Sequence, residues 1–105
     1  MDPMSDVLPH PLRDEIRIEA VLHALADPMR LRMVRELDRI GTGVACGAID
    51  LPITKSTRTH HLRTLREAGV IHVRPDGTSR ITTVRRTDLD ALYPGMLDAI
   101  LKAER

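Results

Sequence analysis

The chain has 105 residues, of which 42% are apolar, and a single tyrosine is its only Phe, Trp or Tyr residue. This length fits one domain with a modest core built from aliphatic and methionine side chains. No apolar run approaches the roughly 18–20 residues of a transmembrane helix, and the N-terminus lacks the apolar stretch of a signal peptide. We therefore expect a cytoplasmic protein without a membrane partner. One cysteine excludes an intramolecular disulfide framework.

The net charge of +1 conceals a strong division along the sequence. Residues 1–53 contain six arginines and nine acids, and residues 87–105 contain two bases and four acids. Between these acidic flanks, residues 54–86 contain eight bases and two acids. A cationic segment of this kind indicates a polyanionic partner that contacts one defined surface.

The first part of the chain predicts a lead-in followed by two helices. Residues 1–12 contain three prolines and predict a flexible lead-in to a domain at 13–105. Apolar residues at helical spacing predict a first helix from about Leu12. Asp27 is a suitable N-cap and Pro28 suits a first helical turn, so a second helix begins there.

The central part of the chain predicts two further helices and a hairpin. A short third helix is expected from about Ala45 to Asp50, and a fourth helix from Thr54 to Ala68. Gly69 would cap the fourth helix at its C-terminus. Strands over 70–73 and 80–84, joined by a Pro-Asp-Gly-Thr turn, predict a β-hairpin.

The end of the chain predicts a helix with a wide apolar stripe. Pro94-Gly95 should break or kink it, so the longer helix is predicted over 94–104. Such a stripe either covers the domain's own core or pairs with a second copy of the chain. The residues predicted for a dimer interface are Leu92, Met96, Leu97, Ile100 and Leu101. The predicted fold is mainly α with a small β-hairpin, in the order α-α-α-α-β-β-α: a dimeric winged helix-turn-helix.

The fourth helix has the side chains of a DNA-reading element. Short polar residues permit close approach to base edges in the major groove, and arginine donates to phosphates or guanine. Arg66 taken alone is interpreted as a solvated surface charge. The predicted DNA-binding residues are Lys55, Ser56, Thr57, Arg58, Thr59, His60 and Arg63 on the helix, with Arg74 and Arg80 on the hairpin.

Two blocks of sequence resemble the ArsR-type (arsenical-resistance repressor) winged-helix regulators. Residues 24–32, ALADPMRLR, look like the family's "LADPTRLRIL" opening. Residues 55–71, KSTRTHHLRTLREAGVI, are similar to its "QSTVSHHLRVLREAGLV". The match spans about residues 20–86. The resemblance implies a bacterial regulator whose terminal helices pair in a homodimer, a palindromic double-stranded DNA operator, and repression relieved by an effector. It also implies that the hairpin is the wing.

The sequence departs from the metal-sensing members of that family. Their thiolate site uses a Cys-x-Cys pair, whereas here Cys46 is followed by glycine; the last helix also lacks histidine. One soft ligand cannot build a tetrahedral zinc site. His60 and His61 lie about 100° apart on a helix and are interpreted as one DNA-facing and one packing residue. We therefore expect no metal and no cofactor.

The effector is left open by the sequence. Cys46 is a candidate redox or electrophile sensor, because a position near a helix N-terminus lowers the pKa of a thiol. The competing hypothesis for Cys46 is a small buried apolar residue. Release by an unidentified small-molecule effector is expected, and a DNA-binding protein that responds to no effector is the alternative. An enzyme is not expected, because the chain contains no glycine-rich phosphate loop, nucleophile elbow or paired metal motif.

Overall fold

The computed structural model describes residues 8–41, 43–45, 49 and 51–103. A 3-10 turn at Arg13–Glu15 precedes the α-helices and strands found within these residues. The helices are α1 (Ile18–Leu25), α2 (Pro28–Ile40), α3 (Lys55–Ala68), α4 (Arg86–Leu92) and α5 (Met96–Lys102). The strands are β1 (Val44–Ala45), β2 (Ile71–Asp76) and β3 (Ser79–Val84), in one antiparallel sheet of order β1-β3-β2. The predicted mainly helical fold with a small hairpin is confirmed.

The first helix begins later than its apolar periodicity predicted. α1 begins at Ile18, because Ile16 and Arg17 are extended after the 3-10 turn. Ile16 is buried, and its carbonyl accepts a hydrogen bond of 2.9 Å from the Tyr93 hydroxyl. Its side chain also fills the space beside Gly69, where an added Cβ would lie 2.6 Å from Ile16 Cγ1. Gly69 has a φ of +87°, a backbone conformation that favours glycine, and its lack of a side chain leaves room for Ile16.

The predicted short third helix is not found where the structure can test it. Ala45 lies in β1, where it pairs with Ile81 of β3. The rest of the prediction falls mainly on residues 46–48 and 50, outside the described residues. Ile49 and Leu51, which flank position 50, are buried in the core.

The hairpin has longer strands and a shorter turn than predicted. Asp76 pairs with Ser79, so only Gly77 and Thr78 connect β2 to β3. Gly77 has a φ of +62°, the left-handed conformation that a two-residue hairpin loop favours. Residues 74–80 are all exposed, and the hairpin therefore projects from the domain as a wing.

The core connects all the helices to the sheet. Its largest completely buried aliphatic side chains come from α2, α3, β2, α4 and α5, and they are Met33, Leu65, Ile71, Leu89 and Leu97. Leu97 was predicted to lie at the dimer interface, but its exposure is 0% in the single chain. Leu97 is a member of the buried hydrophobic cluster that Leu65 and Leu89 also belong to. Leu97 therefore belongs to the core of the chain.

Asp27 fixes the start of α2. Its Oδ1 accepts hydrogen bonds from the backbone N–H groups of Met29 (2.9 Å) and Arg30 (3.0 Å). These donors would otherwise have no partner in the first helical turn. The Arg30 N–H, followed by that of Met29, holds the pKa of Asp27 below its usual value of 3.8. The N-cap predicted from the Asp-Pro pair is confirmed.

Asp27→Ala should therefore reduce the free energy of unfolding by about 1 kcal/mol at pH 7. The folded pKa is depressed, so this stabilisation is present above the unfolded pKa and is lost as the pH falls through the folded pKa. Urea unfolding of both proteins at several pH values should show the difference shrinking below pH 3.8. Asp14→Ala is the matched control, because Asp14 is exposed and has no hydrogen bond or ion pair to any described residue. Equal stability of Asp27→Ala and the parent at pH 7 would contradict the prediction.

Candidate nucleic-acid interface

The helix α3 is defined at both ends by local hydrogen bonds. The Oγ1 of Thr54 accepts a hydrogen bond from the Thr57 N–H at 3.2 Å, which caps the N-terminus. At the other end, the Gly69 N–H donates to the carbonyls of Leu65 and Arg66. Leu65 and Ala68 are buried, and the opposite face of α3 is directed to solvent.

The predicted DNA-binding residues lie on this open face and on the wing. Most of them are exposed: Lys55, Ser56, Thr59, His60, Arg63, Arg74 and Arg80. Thr57 and Arg58 are half-buried. Four α3 residues, Lys55, Arg58, Thr59 and Arg63, line a groove together with Arg80 of the wing. We call this space between α3 and the β2–β3 hairpin the helix–wing groove; its volume is about 620 Å³.

Several groove residues were not identified from the sequence. Arg66, interpreted as a solvated charge, is half-buried and lines the groove. Thr78 and Ser79 line it from the wing, and Leu8 lines it from the N-terminal segment. The contact between Leu8 and the groove depends on the N-terminal segment lying against β2, which no local sequence pattern indicates.

Most cations of this surface have no ion-pair partner among the described residues. Lys55, Arg58, Arg66, Arg74 and Arg80 form no ion pair with any described residue. Arg63 contacts Glu67 at 3.5 Å, but their side chains are 68% and 57% exposed. Such an exposed pair contributes little, so Arg63 can exchange it for another anion.

Several basic side chains outside α3 and the wing are paired with acids. Arg86 contacts Asp38 at 2.9 Å and Asp98 at 2.8 Å. Asp88 binds Arg13 at 2.7 Å and Arg85 at 3.0 Å, and the Arg13 hydrogen bond is the main cause of its lowered pKa. On α3 and the wing, by contrast, five neighbouring cations have no ion pair with any described residue.

The threonines of α3 have different hydrogen-bonding capacities left for a ligand. Thr59 donates its hydroxyl hydrogen to the Lys55 carbonyl at 3.0 Å, so its oxygen remains available only as an acceptor. Thr57 Oγ1 accepts from the Thr54 hydroxyl at 2.9 Å and keeps its own hydrogen to donate. Thr59 therefore suits an amino group, and Thr57 suits a carbonyl or phosphate oxygen.

Arg30 holds α3 in place, a role that was not predicted from the sequence. Its Nε donates to the Ala24 carbonyl at 2.6 Å, and its Nη1 lies 3.2 Å from Nδ1 of His61. Since an arginine can only donate, His61 accepts through Nδ1. His61 is half-buried, whereas His60 is exposed. This agrees with the predicted division into one packing and one outward-facing histidine.

The N-terminal segment supports the wing. His10 accepts a hydrogen bond from the Val73 N–H through Nε2 at 3.0 Å, and its ring stacks on His72 with centroids 4.4 Å apart. Burial and the nearby His72 lower the pKa of His10, which favours the neutral form that can accept. Residues 8–12, assigned from the sequence to a flexible lead-in, thus contact the edge strand of the sheet.

The remaining predicted site residues have two different outcomes. Cys46, the candidate sensor, lies outside the described residues. The other four residues of the apolar stripe, Leu92, Met96, Ile100 and Leu101, are half-buried and pack on the core with part of each side chain exposed. Within the described part of the chain, no three His, Cys, Asp or Glu side chains are grouped so as to hold a metal ion. No helix found there is long and apolar enough to cross a membrane.

Comparison with known proteins defines the class. Residues 25–74 match a family model described as a helix-turn-helix domain. The uncharacterized HTH-type transcriptional regulator YceK of Bacillus subtilis (strain 168) is 33% identical over 89 residues, covering 83% of this chain and 88% of that protein. The solved structure of an ArsR-like transcriptional regulator from Rhodococcus sp. RHA1 has a TM-score of 0.61 at 21% identity, covering 70% of this chain and 69% of that chain. The ArsR family transcriptional regulator RHA00566 also has a TM-score of 0.61, at 17% identity, covering 91% and 100% of the two chains.

The fold is therefore the winged helix-turn-helix of ArsR-type proteins, with the β2–β3 hairpin as the wing. The chain belongs to the helix-turn-helix transcriptional regulators, which are DNA-binding proteins.

Arg30→Met should destabilise the domain, because it keeps an apolar stem but removes the bonds to Ala24 and His61. We expect a loss of about 1–3 kcal/mol, which includes the cost of leaving a carbonyl unpaired. The melting temperature should fall, and the backbone amide resonances of residues 54–61 should shift in NMR spectra. Arg32→Met, on the exposed face of the same helix, should change neither. Stability equal to that of the Arg32 variant would remove Arg30 from this role.

Proposed function

We propose that this protein is a sequence-specific transcriptional regulator that binds a palindromic operator as a homodimer. Binding would repress transcription, and an effector would release the protein from DNA. The observation that carries the proposal is the concentration of unpaired cations on α3 and the wing, beside short polar side chains on the exposed face of α3.

The geometry supports a division of roles between the helix and the wing. A helix fits the major groove of B-DNA, where Thr57, Thr59 and Arg63 have the donors and acceptors for base edges. Arg74 and Arg80 on the exposed wing would contact the backbone, and such contacts position the protein without reading sequence. Thr59, left with acceptor capacity alone, would select the amino group of cytosine or adenine.

The proposed dimer uses the terminal apolar surface. Met96 and Ile100 lie one turn apart on α5 and keep part of their surface exposed, as Leu92 does on α4. Leu22 of α1, with 48% of its surface exposed, is a further apolar side chain available to a partner. Two α3 helices entering successive major grooves would place the half-sites about 34–36 Å apart.

The proposal is tested by selecting genomic fragments bound to the purified full chain. The selection is repeated after alkylation of Cys46, and the Cys46→Ser variant serves as the control for the reagent. We expect an enriched imperfect palindrome with half-sites about one helical turn apart. Loss of binding on alkylation of the parent alone would assign the effector response to Cys46, whereas equal binding would assign it to another site. Enrichment of no sequence would overturn operator recognition, and a single half-site would overturn the dimer.

Arg80→Ala should weaken specific and random DNA binding alike, because a phosphate contact carries no sequence information. The slope of log K against log salt should fall by about 0.9, the value expected for one phosphate. Fluorescence anisotropy with operator and scrambled duplexes measures both quantities. Arg39→Ala is the control, because Arg39 pairs with Glu36 on α2 outside the groove. An unchanged slope would show that Arg80 does not contact DNA.

A further inference from the structure

The helix–wing groove combines two kinds of surface. Its cationic side chains come from both walls: Lys55, Arg58, Arg63 and Arg66 on α3, and Arg80 on the wing. Leu8, Leu62 and Val73 give it an apolar lining as well. No acidic side chain is among the described residues that line it.

The two half-buried arginines have hydrogen-bonding capacity that the described residues do not use. The Nε atoms of Arg58 and Arg66 are covered from solvent and have no hydrogen-bond partner among the residues that the structure describes. These residues are eight positions apart on α3, so their side chains lie along the same wall of the groove. A donor in this state is unfavourable, and an acceptor reached by a small movement of the guanidinium would remove the penalty.

The apolar lining distinguishes this groove from a simple phosphate cradle. A hydrated phosphate gains nothing from Leu8, Leu62 or Val73, whereas an apolar body would cover them. The groove volume of about 620 Å³ lies within the range of small-molecule pockets. A pocket with an apolar lining and a few polar anchors is the usual form of such a site.

We infer that the helix–wing groove binds a small organic anion. Its carboxylate, sulfonate or phosphate head would bind Arg58 and Arg66, and its apolar body would lie on Leu8, Leu62 and Val73. The regulatory consequence rests on the proposed function: the occupant would fill a groove that is also lined by Lys55, Arg63 and Arg80, which are proposed to contact DNA. Binding of the anion and of DNA would therefore be mutually exclusive.

The test uses 8-anilinonaphthalene-1-sulfonate, a fluorescent anion with an apolar body, titrated against the full chain. N-phenyl-1-naphthylamine, which lacks the sulfonate, is the matched neutral probe. We expect saturable binding of the sulfonate at one molecule per chain and about tenfold weaker binding of the neutral probe, since charge-assisted hydrogen bonds are lost. Equal binding of the two probes would overturn the assignment of an anion site.

Variants locate the site. Arg58→Gln/Arg66→Gln should weaken sulfonate binding about tenfold or more, whereas Arg39→Gln outside the groove should not. Because the double variant removes partly buried side chains, a second pair uses the exposed Ser79 at the wing. Ser79→Glu places a carboxylate beside the groove and should weaken binding, and Ser79→Gln, of similar size, should not. Equal binding by the two Ser79 variants would place the probe elsewhere and overturn the inference.

Competition separates the ligand classes and the two proposals. Decanoate should displace the sulfonate at far lower concentration than inorganic phosphate does; equal potency would reduce the groove to a phosphate cradle and overturn the inference. Duplex DNA should also displace the probe, and simultaneous binding of both would overturn the exclusion. DNA binding is measured separately by mobility shift. If the protein binds DNA but not the sulfonate, the proposed function stands and the inference about the groove is overturned. If it binds the sulfonate but not DNA, the anion site stands and the proposed function is overturned.

Discussion

The position of α3 depends on the side chain of Arg30. This guanidinium joins the end of α1, through the carbonyl of Ala24, to His61 on α3, while the residue's own N–H is held by Asp27 at the start of α2. One residue thus fixes three helices through directional bonds, in addition to the non-directional packing of the core. A domain of this size has a modest core, so directional contacts of this kind matter more for its geometry than they would in a larger protein. The outward face of α3 is fixed in direction because its inward face is tied in this way.

The arginines of the domain fall into two groups, those paired with acids inside the fold and those of α3 and the wing without such partners. The Arg86 cluster with Asp38 and Asp98 joins α2, α4 and α5, and Asp88 ties α4 to the N-terminal segment through Arg13. These arginines are used within the fold. Arg58, Arg66 and Arg80 have no such partners among the described residues, so their positive charge remains available to an anion in the helix–wing groove. A net charge near zero for the chain is therefore compatible with a strongly cationic face.

The sequence predicted those parts of the fold that depend on local signals. The Asp-Pro start of α2, the glycine after α3 and the hairpin turn each follow from the preference of a residue type for one backbone conformation. The predicted start of α1 was wrong because Ile16 is kept extended by distant residues, Tyr93 and Gly69. Leu97 was assigned to a dimer for a similar reason: periodicity identifies an apolar stripe but not what covers it.

The exposed residues of the candidate site could be predicted from the sequence, but the half-buried residues that line the groove could not. Lys55, Thr59 and Arg63 have the spacing and chemistry of a helix that reads DNA, and these features are local. The role of Arg66 depends on the wing that folds back beside it, and that of Leu8 on a segment held by a hydrogen bond from Val73 to His10. Both contacts join residues far apart in the sequence. No periodicity in either segment encodes them.

This arrangement gives a small regulator a simple route to control. Most allosteric regulators need two sites and a bistable element that both sites bias. Here the anion and the DNA would occupy the same groove, so the anion would block DNA contacts directly. Once the concentration of the anion exceeds the anion's own dissociation constant, the apparent dissociation constant for DNA would rise in proportion to that concentration. The positions of the helices would not change. Arg30 and the core would hold the same framework in both states, and the only movement required is that of the Arg58 and Arg66 side chains toward the bound acceptor.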